Sequence, residues 1–159
     1  MVTAAFGSTA EADLVERIRA SSEYVPETAL VAELDGRVVG HVMVSGATLR
    51  NDTGQRTISM LSPLAVDPVH QGAGIGGALV RTVTAIADER REPLVVLEGS
   101  PRYYARFGFV HSVPHGIELP LPDWAPAEAA QVLLLRSYDP DDRALRGRVV
   151  YPAAFDGVE

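Results

Sequence analysis

Four glycines in six residues, Gly72, Gly74, Gly76 and Gly77, separate the apolar run Leu64-Ala65-Val66 from an amphipathic one. Ile75, Leu79, Val83 and Ile86 recur at helical spacing, so a helix is expected from about Gly74 to Glu89. The chain must therefore pass from a strand through a glycine-rich turn into a helix. Such a turn bares backbone N–H groups, and the helix dipole places partial positive charge beside them. Glycine has no Cβ, so a phosphate can approach the backbone closely. Four glycines in a turn lose much conformational entropy on folding and return no packing, which favours a ligand-binding role over a bare helix start.

The literal string Gly72-Ala73-Gly74-Ile75-Gly76-Gly77 spells G-x-G-x-x-G, the dinucleotide fingerprint, and Glu98 follows after a further strand. That reading, a dinucleotide-binding oxidoreductase, wants the strand to run almost directly into the first glycine. Here Asp67-Pro68-Val69-His70-Gln71 intervenes, and a hairpin precedes the motif. No Lys-Ser or Lys-Thr follows the glycines, so an ATP-type P-loop is excluded.

The remaining elements follow from local signals. Ser8-Thr9-Ala10-Glu11 has the form of a capping box, with Leu14, Val15 and Ile18 giving a helix face to about Ser21. Ala29–Leu34 and Val38–Val44 flank Asp35-Gly36, a two-residue hairpin signal. Asn51–Gln55 is a polar turn, and Thr57–Val66 reads as a strand. Leu94–Leu97 is apolar on both faces, as a buried parallel strand is. Ser100-Pro101 opens a short helix that Gly108 is placed to end. Pro114–Pro126 is expected to be a surface loop, Gln131–Leu135 a last clear strand, and Asp139–Glu159 loop-like with a short strand near Val149-Val150-Tyr151. The order implies an α/β fold: a mixed central sheet with helices on both faces.

Pro63 interrupts a strand whose crossover leads to Leu94–Leu97. Proline cannot donate to a ladder, so this strand must bulge or lose pairing there. A splayed pair of parallel central strands would leave free backbone groups, against which an extended amide-bearing ligand can pair like an added strand.

The chain of 159 residues is expected to form one domain over 1–159. It has no cysteine, which excludes disulfides, thiolate metal sites and a Cys nucleophile. His70, His111 and His115 have no metal-ligand spacing, so no metal is expected. A net charge of −7 argues against nucleic acid. Early charges at Glu11, Asp13, Glu16 and Arg17 argue against a secretory signal, and no apolar run reaches membrane-spanning length. A cytoplasmic protein without membrane contact is expected.

Three motifs in order, Leu64-Ala65-Val66-Asp67-Pro68, Gln71-x-x-Gly74-x-Gly76 and Tyr104-Ala105-Arg106-Phe107-Gly108-Phe109, closely resemble the GNAT superfamily of N-acetyltransferases. Tyr103–Phe109 and Gly147-x-Val149-x-Tyr151-Pro152-x-x-Phe155 resemble, more narrowly, its YhbS-like bacterial group. The resemblance spans about Ala4 to Phe155. It implies a GNAT fold and direct acetyl transfer from acetyl-CoA, as cosubstrate, to a primary amine on a small molecule or peptide. By that resemblance Gln71, Gly72, Ala73, Gly74, Ile75, Gly76 and Gly77 hold the pyrophosphate. The backbone groups of Leu64 and Val66 pair with the pantetheine, and the amides of Leu64, Ala65 and Val66 can polarise the thioester carbonyl.

Tyr104 stands where many members carry the general acid for the departing thiolate, with Tyr103 expected to pack. Glu98, at the C-terminal end of the buried strand, is the candidate base. Glu33, His41 and Asp67 are alternatives. Serotonin-type members place histidines before the Leu-Ala-Val run, whereas this chain has Met60 and Ser62 there. A non-catalytic CoA-binding module is the other reading. The family usually opens with a strand before its first helix. Here Val2–Phe6 is a remnant of it or the strand is missing, which leaves a sheet edge and a possible homodimer.

Overall fold

The structure, a computed structural model, describes residues 10–156. Ser8, Thr9 and the expected strand remnant Val2–Phe6 lie outside the described residues. Helix α1 spans Ala10–Arg19. Strands β1 (Ala29–Leu34) and β2 (Arg37–Asn51) form an antiparallel hairpin. Asp35 and Gly36 both take positive φ, 52° and 77°, the pairing that matches strand twist in a two-residue turn.

β2 runs well past the expected Val44, because Ser45–Ala47 and Leu49 are buried and keep it in the sheet. It turns at Asp52-Thr53, where Asn51 Oδ1 accepts from the Thr53 amide at 2.8 Å, and returns as β3 (Gly54–Val66). Helix α2 (Ile75–Glu89) then crosses to β4 (Leu94–Glu98), parallel to β3. Helix α3 (Pro101–Tyr104) and strands β5 (Val110–His111), β6 (Ile117–Glu118), β7 (Ala130–Leu134) and β8 (Gly147–Val150) complete the described chain.

The sheet order is β5-β7-β4-β3-β2-β8-β6. The outer edge of β2 is shared: Arg37–Met43 pairs with β1 and Thr48–Arg50 with β8. Burial explains the two layers. Leu94 and Val96 point into a core with Leu14, Val15 and Ile18 of α1; Val95 and Leu97 point into a second core with Leu79, Val80, Val83 and Ala87 of α2. Alternation along a strand buried on both sides divides the molecule this way.

One expected loop contains a strand: Pro114–Pro126 holds β6. It pairs in parallel, Ile117 with Gly147, with β8, the short strand expected near Val149-Val150-Tyr151, which begins at Gly147 and ends at Val150. The sheet is mixed, with an antiparallel hairpin ahead of the glycine turn. That is not the doubly wound parallel sheet that the dinucleotide reading requires.

The feature that positions the site is the β3–β4 pairing. It comprises Ser59–Val95 and Met60–Val96 only. From Leu61 onward β3 pairs with β2 alone, and Val44 lies opposite Leu61 but Val42 opposite Leu64, so Ser62-Pro63 is a bulge. The Asp67 amide donates to Val39 O of β2 at 2.8 Å. By strand alternation the backbone groups of Leu64 and Val66 therefore point the other way, into the gap between β3 and β4.

Candidate active site

The glycine turn is built from its own side chains. Asp67 accepts from the Val69 amide at 3.2 Å, and Gln71 Nε2 donates to Val66 O at 3.0 Å, clamping the turn to the end of β3. Gly72 and Gly74 sit at φ 86° and 85°, the left-handed region that L side chains avoid. Gly74 is the N-cap of α2. The amides of the helix's first turn have no partner within the helix, so they face outward as donors.

These residues line a cleft of about 500 Å³. Arg81 and Arg106 stand on its wall, each stacked on an aromatic ring: Arg81 over Phe107 at 4.9 Å and Arg106 over Tyr103 at 4.6 Å. Outward amides, a helix N-terminus and two guanidinium groups are what a pyrophosphate requires. Leu64 and Val66 extend the cleft along the strand gap.

Leu64 is also a wall of a second cleft, of about 870 Å³, on the far side of the gap. Here Glu98, at the end of β4, meets Tyr104 of α3 and Tyr151, which directly follows β8. The Tyr151 hydroxyl donates to Glu98 Oε2. Burial, then that hydrogen bond and the carboxylate charge, push the Tyr151 hydroxyl's pKa upward, so it stays a donor. Gln131, 1 % exposed, donates to Gly99 O at 2.9 Å, and the Gly99 amide donates to Ala129 O at 3.0 Å, so the turn after Glu98 is held from both sides. Ser100 then caps α3 by accepting from the Tyr103 amide.

The two tyrosines part company at this helix. Tyr104 lies over Gly99: a Cβ there would stand 2.5 Å from its ring. Burial, with a smaller effect from Tyr103, pushes the Tyr104 pKa up to about 12. Tyr103 was expected only to pack. Instead it lines the glycine cleft, its hydroxyl 2.6 Å from where a Cβ on Gly76 would sit.

Leu64, Val66, Gln71, Gly72, Gly74, Ile75, Gly76 and Gly77 thus share one cleft, and Glu98 and Tyr104 share the other. Ala73 and Ala65 line neither; Ala65 is buried and paired with His41 of β2. Of the alternative acids and bases, His41 is buried away from both clefts, and Glu33 and Asp67 lie outside the second. Sequence alone assigns no role to Arg81, Arg106 or Tyr151, and only a packing role to Tyr103. Arg81 follows Gly77 by four residues, one helical turn, which is the signal that would have found it.

Residues 1–112 match the acetyltransferase (GNAT) domain family. The chain is 36% identical over 107 residues to the uncharacterised N-acetyltransferase YjhQ of Escherichia coli K12, a match covering 67% of this chain and 59% of that protein, so less than two thirds of YjhQ. It is 30% identical over 117 residues to the uncharacterised N-acetyltransferase YhbS of the same strain, covering 74% and 68%. The crystal structure of E. coli YhbS in complex with CoA superposes with a TM-score of 0.85 at 29% identity, over 99% of this chain and 84% of that one. A GNAT family acetyltransferase from Brucella melitensis in complex with acetyl-CoA superposes at 0.72 and 33% identity, over 98% and 88%. Motif order, splayed strands and family match agree, and the chain belongs to the GNAT family of acetyltransferases.

Proposed function

We infer that the protein is an acetyl-CoA-dependent N-acetyltransferase acting on a primary amine. One observation carries this reading: the anion-binding glycine cleft opens, along the unpaired edge of β3, onto a second cleft that holds a carboxylate and a buried phenol. The CoA and acetyl-CoA complexes of the YhbS and Brucella proteins support it. Acetyl-CoA supplies a thioester: the amine lone pair forms a C–N bond to the acetyl carbon, and the C–S bond breaks with its electron pair leaving on sulfur.

The chain's own groups then have defined tasks. The first-turn amides of α2, with Arg81 and Arg106, hold the pyrophosphate. Leu64 and Val66 offer backbone groups to an extended amide-bearing arm, and their N–H groups can polarise the thioester carbonyl. An acceptor amine is an ammonium at neutral pH and must lose a proton before it attacks. Glu98, fixed by Tyr151, is the carboxylate placed to receive that proton, directly or through water.

Tyr104 faces the leaving thiolate as a donor. A phenol near pKa 12 gives its proton to a thiol-like sulfur of pKa about 8.5 only uphill, by about 5 kcal/mol. It acts foremost as a hydrogen-bond donor, with the proton following as charge develops on sulfur.

The test is thiol release from acetyl-CoA across a panel of amines, beside melting curves with acetyl-CoA and with NAD. A ligand at 100 times its Kd adds about 2.7 kcal/mol, visible as a melting shift. Stabilisation by acetyl-CoA alone, with amine-dependent thiol release, is expected. Stabilisation by NAD alone overturns the reading; stabilisation by acetyl-CoA with no release from any amine identifies a CoA-binding module instead.

A further inference from the structure

We propose that the acceptor is a small amine with an apolar, aromatic-sized body and no anionic group, and that Asp123 and Trp124 impose this choice at the mouth of the second cleft. The inference rests on the acetyltransferase reading and concerns what the acceptor cleft admits. Its charge is of one sign. Glu98 stands at the floor and Asp123 at the rim, and among the described residues no Lys, Arg or His lines it.

An ammonium is attracted to such a site, whereas a carboxylate carried beside it meets Asp123 and Glu98 with nothing to pair it. Tyr151 occupies Glu98 Oε2, which leaves Oε1 for the incoming ammonium. The walls are apolar: Met60, Pro63 and Phe155 line the interior, and Trp124 stands at the entrance, 77% exposed. An exposed indole on a loop stiffened by Pro120, Pro122 and Pro126 is a face on which a ring can stack. It also attracts a cation. The space, about 870 Å³, holds an arylalkyl amine without displacing the walls.

Trp124 is the chain's one tryptophan, so its fluorescence reads occupancy of this cleft without requiring turnover. The experiment titrates the CoA-loaded protein with 2-phenylethylamine, phenylalanine and phenylalaninamide, and measures kcat/KM for each with acetyl-CoA. Phenylethylamine and phenylalaninamide should change the emission and be acetylated; phenylalanine, identical in body but with a carboxylate beside its ammonium, should be at least about tenfold poorer in both readouts. Asp123→Asn should narrow that gap several-fold while leaving the CoA-dependent melting shift intact. Equal use of phenylalanine and phenylethylamine overturns the proposal, as does a CoA melting shift with no fluorescence response to any of the three. Loss of the CoA shift itself would instead remove the acetyltransferase reading on which the proposal stands.

Discussion

At single residues, the glycines of the turn are required for two different reasons, and the difference is testable. Gly74 has open space around a would-be Cβ but sits at φ 85°, so Gly74→Ala strains the backbone by about 1–2 kcal/mol and lowers stability with or without ligand. Gly76 lies inside α2, where alanine favours the helix by about 0.5–1 kcal/mol, yet its Cβ would displace the Tyr103 hydroxyl. Gly76→Ala should therefore melt no lower than the parent while losing much of its CoA-induced shift. An undiminished shift would place the pyrophosphate elsewhere.

Tyr104→Phe tests the leaving-group donor at the same scale. It should keep acetyl-CoA affinity and lower kcat by about 10²-fold. With its pKa near 12, Tyr104 keeps its proton throughout pH 7–10, so no falling limb over that range belongs to it. A limb near pH 9 abolished by Tyr104→Phe would contradict the burial argument. Tyr103→Phe should act on CoA affinity instead, since its hydroxyl lies in the glycine cleft.

Elements differ in how far they could be read ahead, and the reason is locality. The Asp35-Gly36 hairpin, helix α2 and the Pro63 break are each encoded within a few adjacent residues, and each is present where expected. β5 and β6 have two residues apiece, too short for any alternation, and exist through pairing with β7 and β8. Adjacent tyrosines on a helix must diverge by about 100°. Which one enters which cleft depends on Gly76 and Gly99, at opposite ends of the crossover, and helical spacing carries no such information. Tyr151 reaches Glu98 across 53 positions, a partnership no local pattern announces.

That partnership depends on how β8 is docked. Asn51 Nδ2 donates to Arg146 O at 2.7 Å and to Arg143 O at 3.1 Å, fixing the chain that leads into β8. Asn51→Ala should cost about 1–2 kcal/mol of stability and also lower kcat/KM, through a mispositioned Tyr151. Tyr151→Phe should lower kcat/KM at nearly unchanged stability. Full activity in a destabilised Asn51→Ala would separate β8 docking from the site.

For the whole molecule, the sheet's burial on both faces gives one histidine a defined part in how stability responds to acid. His41 stands on β2, 4% exposed, and neither ring nitrogen has a hydrogen-bond partner among the described residues. Burial, and secondarily the positive charge of Arg19, lower its pKa below the ordinary 6.5. The imidazole is therefore neutral in the folded protein and takes a proton on unfolding whenever the pH lies between its folded pKa and 6.5. In that window the unfolded state binds more protons, so stability rises with pH and is lost as pH falls below 6.5, by at most about 1.4 kcal/mol per pH unit from this group. Above 6.5 the contribution is constant. His41→Leu removes the titrating group while keeping an apolar side chain in the core. Urea unfolding at pH 7.5 and pH 5.0 should show a smaller loss between the two pH values in His41→Leu than in the parent, whatever the absolute stabilities. Equal losses in the two proteins would mean that His41 takes up its proton without unfolding, and that the interior beside β2 admits a charge.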